Sequence, residues 1–285
     1  MYLKHFGLLK MPFQITPDTD FFYGGAERST ILDALKYTII SGEGIIKVIG
    51  EVGCGKTMLC RMLSQSLPSS VEIVYIANPS LSPENILHSI AHEMHIQVSP
   101  QTPKIEVMQK ITSALVYSHA KHKRVVVLVE EAQSMPLETL EEIRLLSNLE
   151  TEQHKLMQIV LFGQPELDIK LSCSSIRQLR ERIAFGFEVS PMNQKDSLEY
   201  LHFRLFTAGY RGTPLFDKKH VATMHPYTKG LTRRMNILCN KTLLLAYTSN
   251  RFEITTKDIK TAAQDCDFYK KPYRLSSRFK WEIVK

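Results

Sequence analysis

An eight-residue stretch has the residue types and the spacing of a phosphate-binding loop. It reads Gly50-Glu51-Val52-Gly53-Cys54-Gly55-Lys56-Thr57, fits the pattern G-x-x-x-x-G-K-[ST], and is followed by Met58. The glycines let the backbone turn tightly and aim its N–H groups at an anion. Lys56 would place a point charge on the β- and γ-phosphates, and the Thr57 hydroxyl would ligate Mg²⁺. The stretch therefore predicts binding of a nucleoside triphosphate together with Mg²⁺.

Two adjacent acids, Glu130 and Glu131, follow the apolar run 125–129. A carboxylate at the C-terminal end of a strand near the loop is where Mg²⁺ is supported, which assigns Glu130 to the metal. The next carboxylate, Glu131, can orient and activate the attacking water as a general base. The alternative is a charged strand end that only faces solvent.

Further candidates lie later in the chain. Gln164 ends the next predicted strand, where its amide could reach the γ-phosphate or the lytic water, or could only cap the strand. Arg180 and Arg182 precede the last predicted strand and could face a neighbouring subunit's nucleotide, unless they are plain surface residues. Arg233 and Arg234 open a helix from which one arginine can fold back over the phosphates, although Arg234 could equally form a surface salt bridge.

The elements that must position these residues alternate between strands and helices. The β-branched run 45–49 predicts a strand before the loop, and 57–65 predicts a helix after it. Other strands are predicted at 71–76, 125–129, 156–162 and 185–189, and other helices at 27–40, 82–94, 102–119, 137–149, 166–171 and 175–181. This alternation predicts an α/β fold with a doubly wound sheet of five parallel strands in a three-layer core.

After Pro191 the strand signals stop, and helices are predicted at 197–208, 217–225, 232–247 and 256–268. The predicted organisation is an N-terminal arm (1–26), a nucleotide-binding core (27–190), a small all-α domain (191–268) and a tail (269–285). The arm is loop-like and rich in aromatic residues, which either pack it onto the protein or, around 21–25, form a wall for adenine.

The composition is that of a globular protein: the 285 residues carry a net charge of +7. No apolar run approaches the roughly 18 residues of a membrane span, and 1–10 lacks the apolar segment of a secretory signal. The five cysteines are scattered, which indicates reduced thiols in a cytoplasmic protein. Cys54 is interpreted as small filler or, less favourably, as a reactive thiol.

The positive charge is concentrated at the C-terminus. The segment 268–285 holds six basic residues and one acid, interleaved with Tyr269, Tyr273, Phe279 and Trp281. This mixture suits an anionic membrane surface and also single-stranded nucleic acid. The alternative is that the aromatics dock onto the protein while the charges are only solvated.

Several stretches carry a resemblance to a known family. They are 2–8, Pro12-Phe13, Thr16-Pro17-Asp18, the loop itself, Glu131-Ala132-Gln133, 144–151, 162–167 and 230–236. On these residues the chain resembles the AAA+ ATPases of the general secretion pathway protein A group, above all members that serve mannose-sensitive haemagglutinin type IV pilus biogenesis.

The resemblance implies an ATP hydrolase with a P-loop core and a helical lid, which assembles into a homo-oligomeric ring, usually a hexamer. It implies a sensor-1 role for Gln164, a sensor-2 role for Arg233, and an arginine finger at Arg182 or Arg180. It also implies partners among inner-membrane pilus or secretion proteins and a place at the inner face of that membrane.

Two departures from the family pattern matter. Similar proteins usually carry Asp-Glu where this chain has Glu130-Glu131, and we expect the longer Glu130 side chain to slow turnover. Secretion-type members continue into a membrane helix and a peptidoglycan-binding domain, so we expect this chain to reach the membrane through a partner or its basic tail. A DNA-binding regulator of transposition and a nucleotide-gated switch with little hydrolysis are the alternatives.

Overall fold

The computed structural model describes residues 2–42, 44–151 and 154–269. The strands are β1 (Ile45–Ile49), β2 (Val71–Ile76), β3 (Arg124–Val129), β4 (Met157–Gly163) and β5 (Ile183–Glu188). They form one parallel sheet in the order β2-β3-β4-β1-β5. The predicted α/β class with five parallel strands is confirmed.

Twelve α-helices lie in the described residues. The first eight are α1 (Tyr2–Phe6), α2 (Arg28–Ser41), α3 (Lys56–Ser66), α4 (Pro83–Glu93), α5 (Lys104–Ala120), α6 (Leu137–Leu146), α7 (Glu166–Leu171) and α8 (Arg177–Glu181). After the last strand come α9 (Gln194–Thr207), α10 (Lys218–Thr228), α11 (Thr232–Thr248) and α12 (Thr256–Gln264). None of these helices is both long enough and apolar enough to cross a bilayer.

Helices cover both faces of the sheet, which explains why β3 reads as an uninterrupted apolar run. Val125, Val127 and Val129 pack into a core with helices α4 to α7. Val126 and Leu128 point to the opposite face, into a second core with α2 and α3. Because successive side chains alternate between faces, every residue of β3 after Arg124 is buried.

A third core joins the N-terminal arm to the four C-terminal helices. Phe6, Phe13 and Phe21 of the arm are buried in it together with residues of α9 to α12. The buried Arg204 of α9 donates through Nε to the carbonyl of Pro12 (2.5 Å), and its guanidinium lies over the Phe21 ring, 4.5 Å from the centroid. The arm therefore packs against the helical part of the protein.

Local differences from the sequence predictions have simple causes. The arm is less loop-like than expected, because it contains α1 and a 3-10 turn at Thr19–Phe21. Ser82 caps α4 as predicted, through a hydrogen bond from Asn85 N. Thr102 caps no helix, because its hydroxyl accepts from Ser99 N instead and Pro103 takes the N-cap position of α5.

Two predicted helices end early: the helix predicted to reach 149 ends at Leu146, and the helix predicted to reach 268 ends at Gln264. The residues after Leu146 turn into an antiparallel bridge between Glu150 and Lys155 that leads to β4. The predicted basic tail lies outside the described residues from 270 onward, so its membrane and nucleic-acid roles stay predictions.

Gly230, between α10 and α11, gives a test of this packing. Its φ is +72°, and a Cβ there would lie 1.9 Å from the carbonyl oxygen of Met192. We expect Gly230→Ala to lower the free energy of unfolding by about 2–4 kcal/mol through backbone strain and overlap. The control Gly7→Ala has a similar φ of +65° but nothing within 4 Å, so it should cost only about 1 kcal/mol. Equal losses in urea titrations of the two variants would contradict this account.

Candidate nucleotide-binding site

The loop Gly50–Thr57 connects β1, which lies between β4 and β5, to α3 at the C-terminal edge of the sheet. Gly53 and Gly55 have φ values of +80° and +108°, the left-handed conformations that a nest of backbone N–H groups uses. A Cβ at Gly53 would also lie 2.7 Å from Cβ of Arg233. Glycine is required at this position because the lid helix approaches the loop backbone so closely.

Two cations hold the carbonyl groups of the loop. Lys56 donates through Nζ to the carbonyls of Gly50 (2.7 Å) and Glu51 (3.1 Å). Arg28, at the start of α2, donates through Nη2 to the carbonyl of Cys54 at 3.0 Å. Arg28 is buried, and that burial lowers its pKa. The loop is thus held in shape by two charged side chains.

Cys54 itself is fully buried beneath the loop. Burial raises the pKa of its thiol, although the nearby charge of Lys56 opposes the shift. Its Sγ would lie 2.6 Å from a Cβ at Gly50, so the sulfur fills the space beside that glycine. A buried, protonated thiol fits the filler interpretation and not a reactive cysteine.

Glu130, which the sequence predicts to support Mg²⁺, lies next to the Thr57 side chain. The Thr57 hydroxyl donates to Glu130 Oε2 at 2.7 Å, and the Tyr75 hydroxyl donates to Glu130 Oε1 at 2.7 Å. Carboxylate and hydroxyl oxygens are ligands that suit Mg²⁺. The residues described contain no cluster of three His, Cys, Asp or Glu side chains that could hold a metal alone. The set fits Mg²⁺, which takes few protein ligands and completes its shell with phosphates and water.

Glu131 lies beside two glutamine amides. Its Oε2 accepts from Nε2 of Gln133 (2.6 Å) and from Nε2 of Gln164 (2.9 Å), and Gln133 Oε1 accepts from Gln164 N (3.0 Å). Burial raises the pKa of Glu131, but these hydrogen bonds and the charge of Lys56 outweigh it, so the net shift is downward. The carboxylate is therefore ionised and oriented between the ends of β3 and β4.

The four C-terminal helices α9 to α12, here called the lid, contact the loop through the first turn of α11. Thr232 donates through its hydroxyl to the carbonyl of Gly53 (2.5 Å), and Arg233 donates through its backbone N–H to the same oxygen (3.1 Å). The exposed Arg233 side chain lines the cavity above the loop. Arg234 points elsewhere, with its guanidinium 5.6 Å from the centre of the Phe268 ring. Only the first arginine of the pair therefore faces the site.

A cavity of about 410 Å³ lies between loop, lid and arm. Its charged lining residues are four cations and one carboxylate: Arg28, Lys56, Arg204, Arg233 and Glu131. Its apolar lining includes Ile15, Pro17, Phe21, Phe22, Tyr23, Val52, Met58 and Tyr200. An excess of positive charge next to aromatic and aliphatic walls suits a ligand with an anionic end and a flat ring.

Arg180 and Arg182 are exposed and lie away from this cavity. The carbonyl of Arg182 accepts from Ile45 N (3.4 Å), at the start of β1. Because a strand rises about 3.3 Å per residue, this point is about 16 Å from the start of the loop at the other end of β1. The structure does not bring either arginine to the nucleotide cavity of its own chain.

Sequence reasoning missed several residues of the site. Arg28 and Tyr75 carry no motif that distinguishes them from surface residues, and only the fold shows what they contact. The position of Gln133, two residues after Glu131 in the turn that follows β3, indicates that its amide could contact Glu131. Thr232 directly precedes Arg233, but nothing in the sequence around it indicates a hydroxyl in contact with the loop.

Comparisons with known proteins find a matching family model and a curated relative. A family model described as AAA domain matches residues 39–171. General secretion pathway protein A of Aeromonas hydrophila is 37% identical over 265 residues, which cover 93% of this chain and 48% of that protein. The chain thus spans about half the length of the curated relative it matches.

Solved structures resemble the fold at low sequence identity. CDC6P from Pyrobaculum aerophilum gives a TM-score of 0.67 at 15% identity and covers 87% of this chain and 71% of its own. The Aeropyrum pernix ORC2 protein in its ADPNP–ADP complexes gives 0.64 at 15% identity, with 88% and 72% covered. The Thermotoga maritima RuvB Holliday junction branch migration motor gives 0.58 at 17% identity, with 88% and 73% covered. These likenesses establish a shared fold.

The contrast between neighbouring arginines gives a test of the site. We expect Arg233→Ala to weaken binding of a non-hydrolysable ATP analogue about tenfold, because the loss of one hydrogen bond to a charged group lowers affinity by about that factor. Arg234→Ala is the matched control and should leave the affinity unchanged, because its side chain faces Phe268. Calorimetry measures both dissociation constants. Equal affinities for the two variants would remove Arg233 from the site.

Proposed function

The chain belongs to the family of AAA ATPases that includes general secretion pathway protein A, and from that membership we propose that it binds and hydrolyses ATP to drive assembly of a bacterial secretion or type IV pilus machine. The observation that carries the hydrolytic part is the pairing of Thr57 with Glu130 beside an oriented Glu131. The secretion or pilus partners are inferred from that relative, of which this chain spans 48%.

In this proposal the loop and the lid hold the nucleotide. The N–H groups of the loop and the positive end of α3 face the phosphates. Lys56 exchanges its contacts with the Gly50 and Glu51 carbonyls for the β- and γ-phosphates. Arg233 contacts the phosphates from the lid, and the aromatic residues of the arm form the wall for adenine.

Glu131 and Gln164 are the proposed reacting pair for water. Glu131 Oε2 takes the proton of the attacking water, and the Gln164 amide orients that water or the γ-phosphate. Gln133 and Gln164 must share or give up their hydrogen bonds to Glu131 Oε2 before a water can bind there. Mg²⁺ would be ligated by the Thr57 hydroxyl and supported by Glu130, and it would neutralise charge on the phosphate oxygens. The longer Glu130 side chain is proposed to slow turnover relative to aspartate.

A ring of identical subunits completes the proposed site. The Arg182 carbonyl lies about 16 Å from the start of its own loop. Neither Arg182 nor Arg180 lines the cavity of its own chain, so in this proposal one of them acts on the nucleotide of a neighbouring subunit. An arginine there would stabilise the charge of the transition state. The proposed ring size is six, as is usual among similar ATPases.

The proposed place of action is the cytoplasmic face of a bacterial inner membrane. The support is the kinship with a secretion-pathway protein. The partners would be inner-membrane secretion or pilus proteins, and the basic tail would add attraction to anionic lipid.

Two single variants test the proposed hydrolysis. Lys56→Ala should abolish ATP binding, because it removes the charge that meets the phosphates. Glu131→Gln should keep ATP binding and lower hydrolysis by roughly 10²–10⁴-fold, the range for a lost general base. Calorimetry and phosphate release measure the two effects. Normal turnover by Glu131→Gln would mean that Glu131 is not the base, and single-turnover release near zero in the wild type would favour a nucleotide-gated switch.

Mixing two inactive proteins tests the proposed action of Arg182 across subunits. Lys56→Ala subunits keep Arg182, and Arg182→Ala subunits keep an intact loop, so mixed rings contain some complete interfaces. We expect the mixture to exceed the summed activities of the separate preparations. Arg177→Ala is the matched control from α8, the helix directly before Arg182, where Arg177 pairs with Glu181, and it should stay active alone. Summed activity only, with mixed rings confirmed by mass, would argue against the role.

A further inference from the structure

We propose that Tyr75 is a positioning residue for Glu130, which it holds in the orientation that the Mg²⁺ side of the site requires; this inference rests on the proposed function. Tyr75 lies on β2, one residue before the end of that strand, and Glu130 N donates to the carbonyl of Ile76 at 2.9 Å. The sheet register thus brings the tyrosine ring beside the carboxylate without any spacing in the sequence that links them.

The two oxygens of Glu130 have separate partners. Oε1 accepts from the Tyr75 hydroxyl at 2.7 Å and Oε2 accepts from the Thr57 hydroxyl at 2.7 Å. Burial, followed by the charge of Glu130, raises the pKa of the Cys60 thiol, which lies one turn further along α3 from Thr57. The Thr57 proton is committed to Glu130, which leaves the lone pairs of its oxygen for a cation.

The Tyr75 hydroxyl lies where it could point to solvent, so its direction toward Glu130 is informative. Tyr75 is half-buried and lines a surface cavity together with Pro17, Thr19 and Arg61. The hydroxyl nevertheless turns inward to the carboxylate. Burial, followed by the hydrogen bond to Glu130, raises the pKa of Tyr75, so the group stays a donor at any physiological pH.

The length of the Glu130 side chain explains why a second contact is needed to hold its carboxylate. Glutamate has one more rotatable bond than aspartate, and that bond adds orientations in which Oε2 would leave Thr57. An aspartate would end about 1.5 Å earlier and could not keep both contacts from the same backbone position. Tyr75 therefore compensates for the longer side chain. Partners that orient the ligands of a metal typically change its affinity 10–100-fold when they are removed.

A double-mutant cycle tests the inference. The proteins are the wild type, Tyr75→Phe, Glu130→Asp and the double variant, and the probe is a non-hydrolysable ATP analogue. Calorimetry gives its affinity in EDTA and over a series of Mg²⁺ concentrations. Beside Glu130, we expect Tyr75→Phe to raise the Mg²⁺ concentration for half-maximal enhancement about tenfold, with the affinity in EDTA unchanged. Beside aspartate, the same substitution should change it by less than about twofold.

The controls separate positioning from packing. Tyr210→Phe removes a tyrosine hydroxyl that donates to the carbonyl of Thr213 (2.7 Å) in the lid, and it should leave the Mg²⁺ dependence unchanged. Thermal melts check that each variant is folded. Equal losses in the Glu130 and aspartate backgrounds, or no loss in either, would overturn the role of Tyr75. A wild type that binds no analogue with Mg²⁺ would instead overturn the proposed function, and the inference with it.

Discussion

The parallel sheet with β1 between β4 and β5 is the constraint on which the site depends. Parallel strands present their C-terminal ends at one edge, so the loop after β1, the acids after β3 and Gln164 after β4 meet there. β4 lies between β1 and β3, which places the amide of Gln164 within 2.9 Å of Glu131. No single element could assemble this set, because its members follow three different strands, and two of these, β1 and β4, are more than a hundred residues apart in the chain.

The arm and the lid turn that edge into a cavity. Arg204 ties the arm to α9 through the Pro12 carbonyl, and Arg61 of α3 donates to the Pro17 carbonyl (2.9 Å). The first turn of α11 bonds the Gly53 carbonyl from the other side. Each wall is thus bonded to the next through backbone oxygens. A change in the position of the lid would therefore directly alter the hydrogen bonds to the phosphate-binding loop.

Buried positive charge is the physical character of this cavity. Arg28 and Arg204 are buried and bonded to carbonyl groups, and burial lowers the pKa of both. Desolvating a cation without a partner of opposite charge is unfavourable. An anionic ligand between them, Lys56 and Arg233 would offset part of that cost. The buried positive charge therefore favours an anionic ligand in this cavity.

The sequence by itself determined the α/β class, the loop, the two acids after β3 and Gln164, because glycine spacing and apolar runs are local patterns that encode strand, loop and helix. Apart from the family resemblance, which favoured Arg233, its residue types did not distinguish Arg233 from Arg234, and they gave no sign of Arg28 or Tyr75. Only the tertiary structure decided these points. The reason is that a half-buried tyrosine or a buried arginine takes its role from neighbours distant in the chain, and strand register and helix rotation alone determine those neighbours.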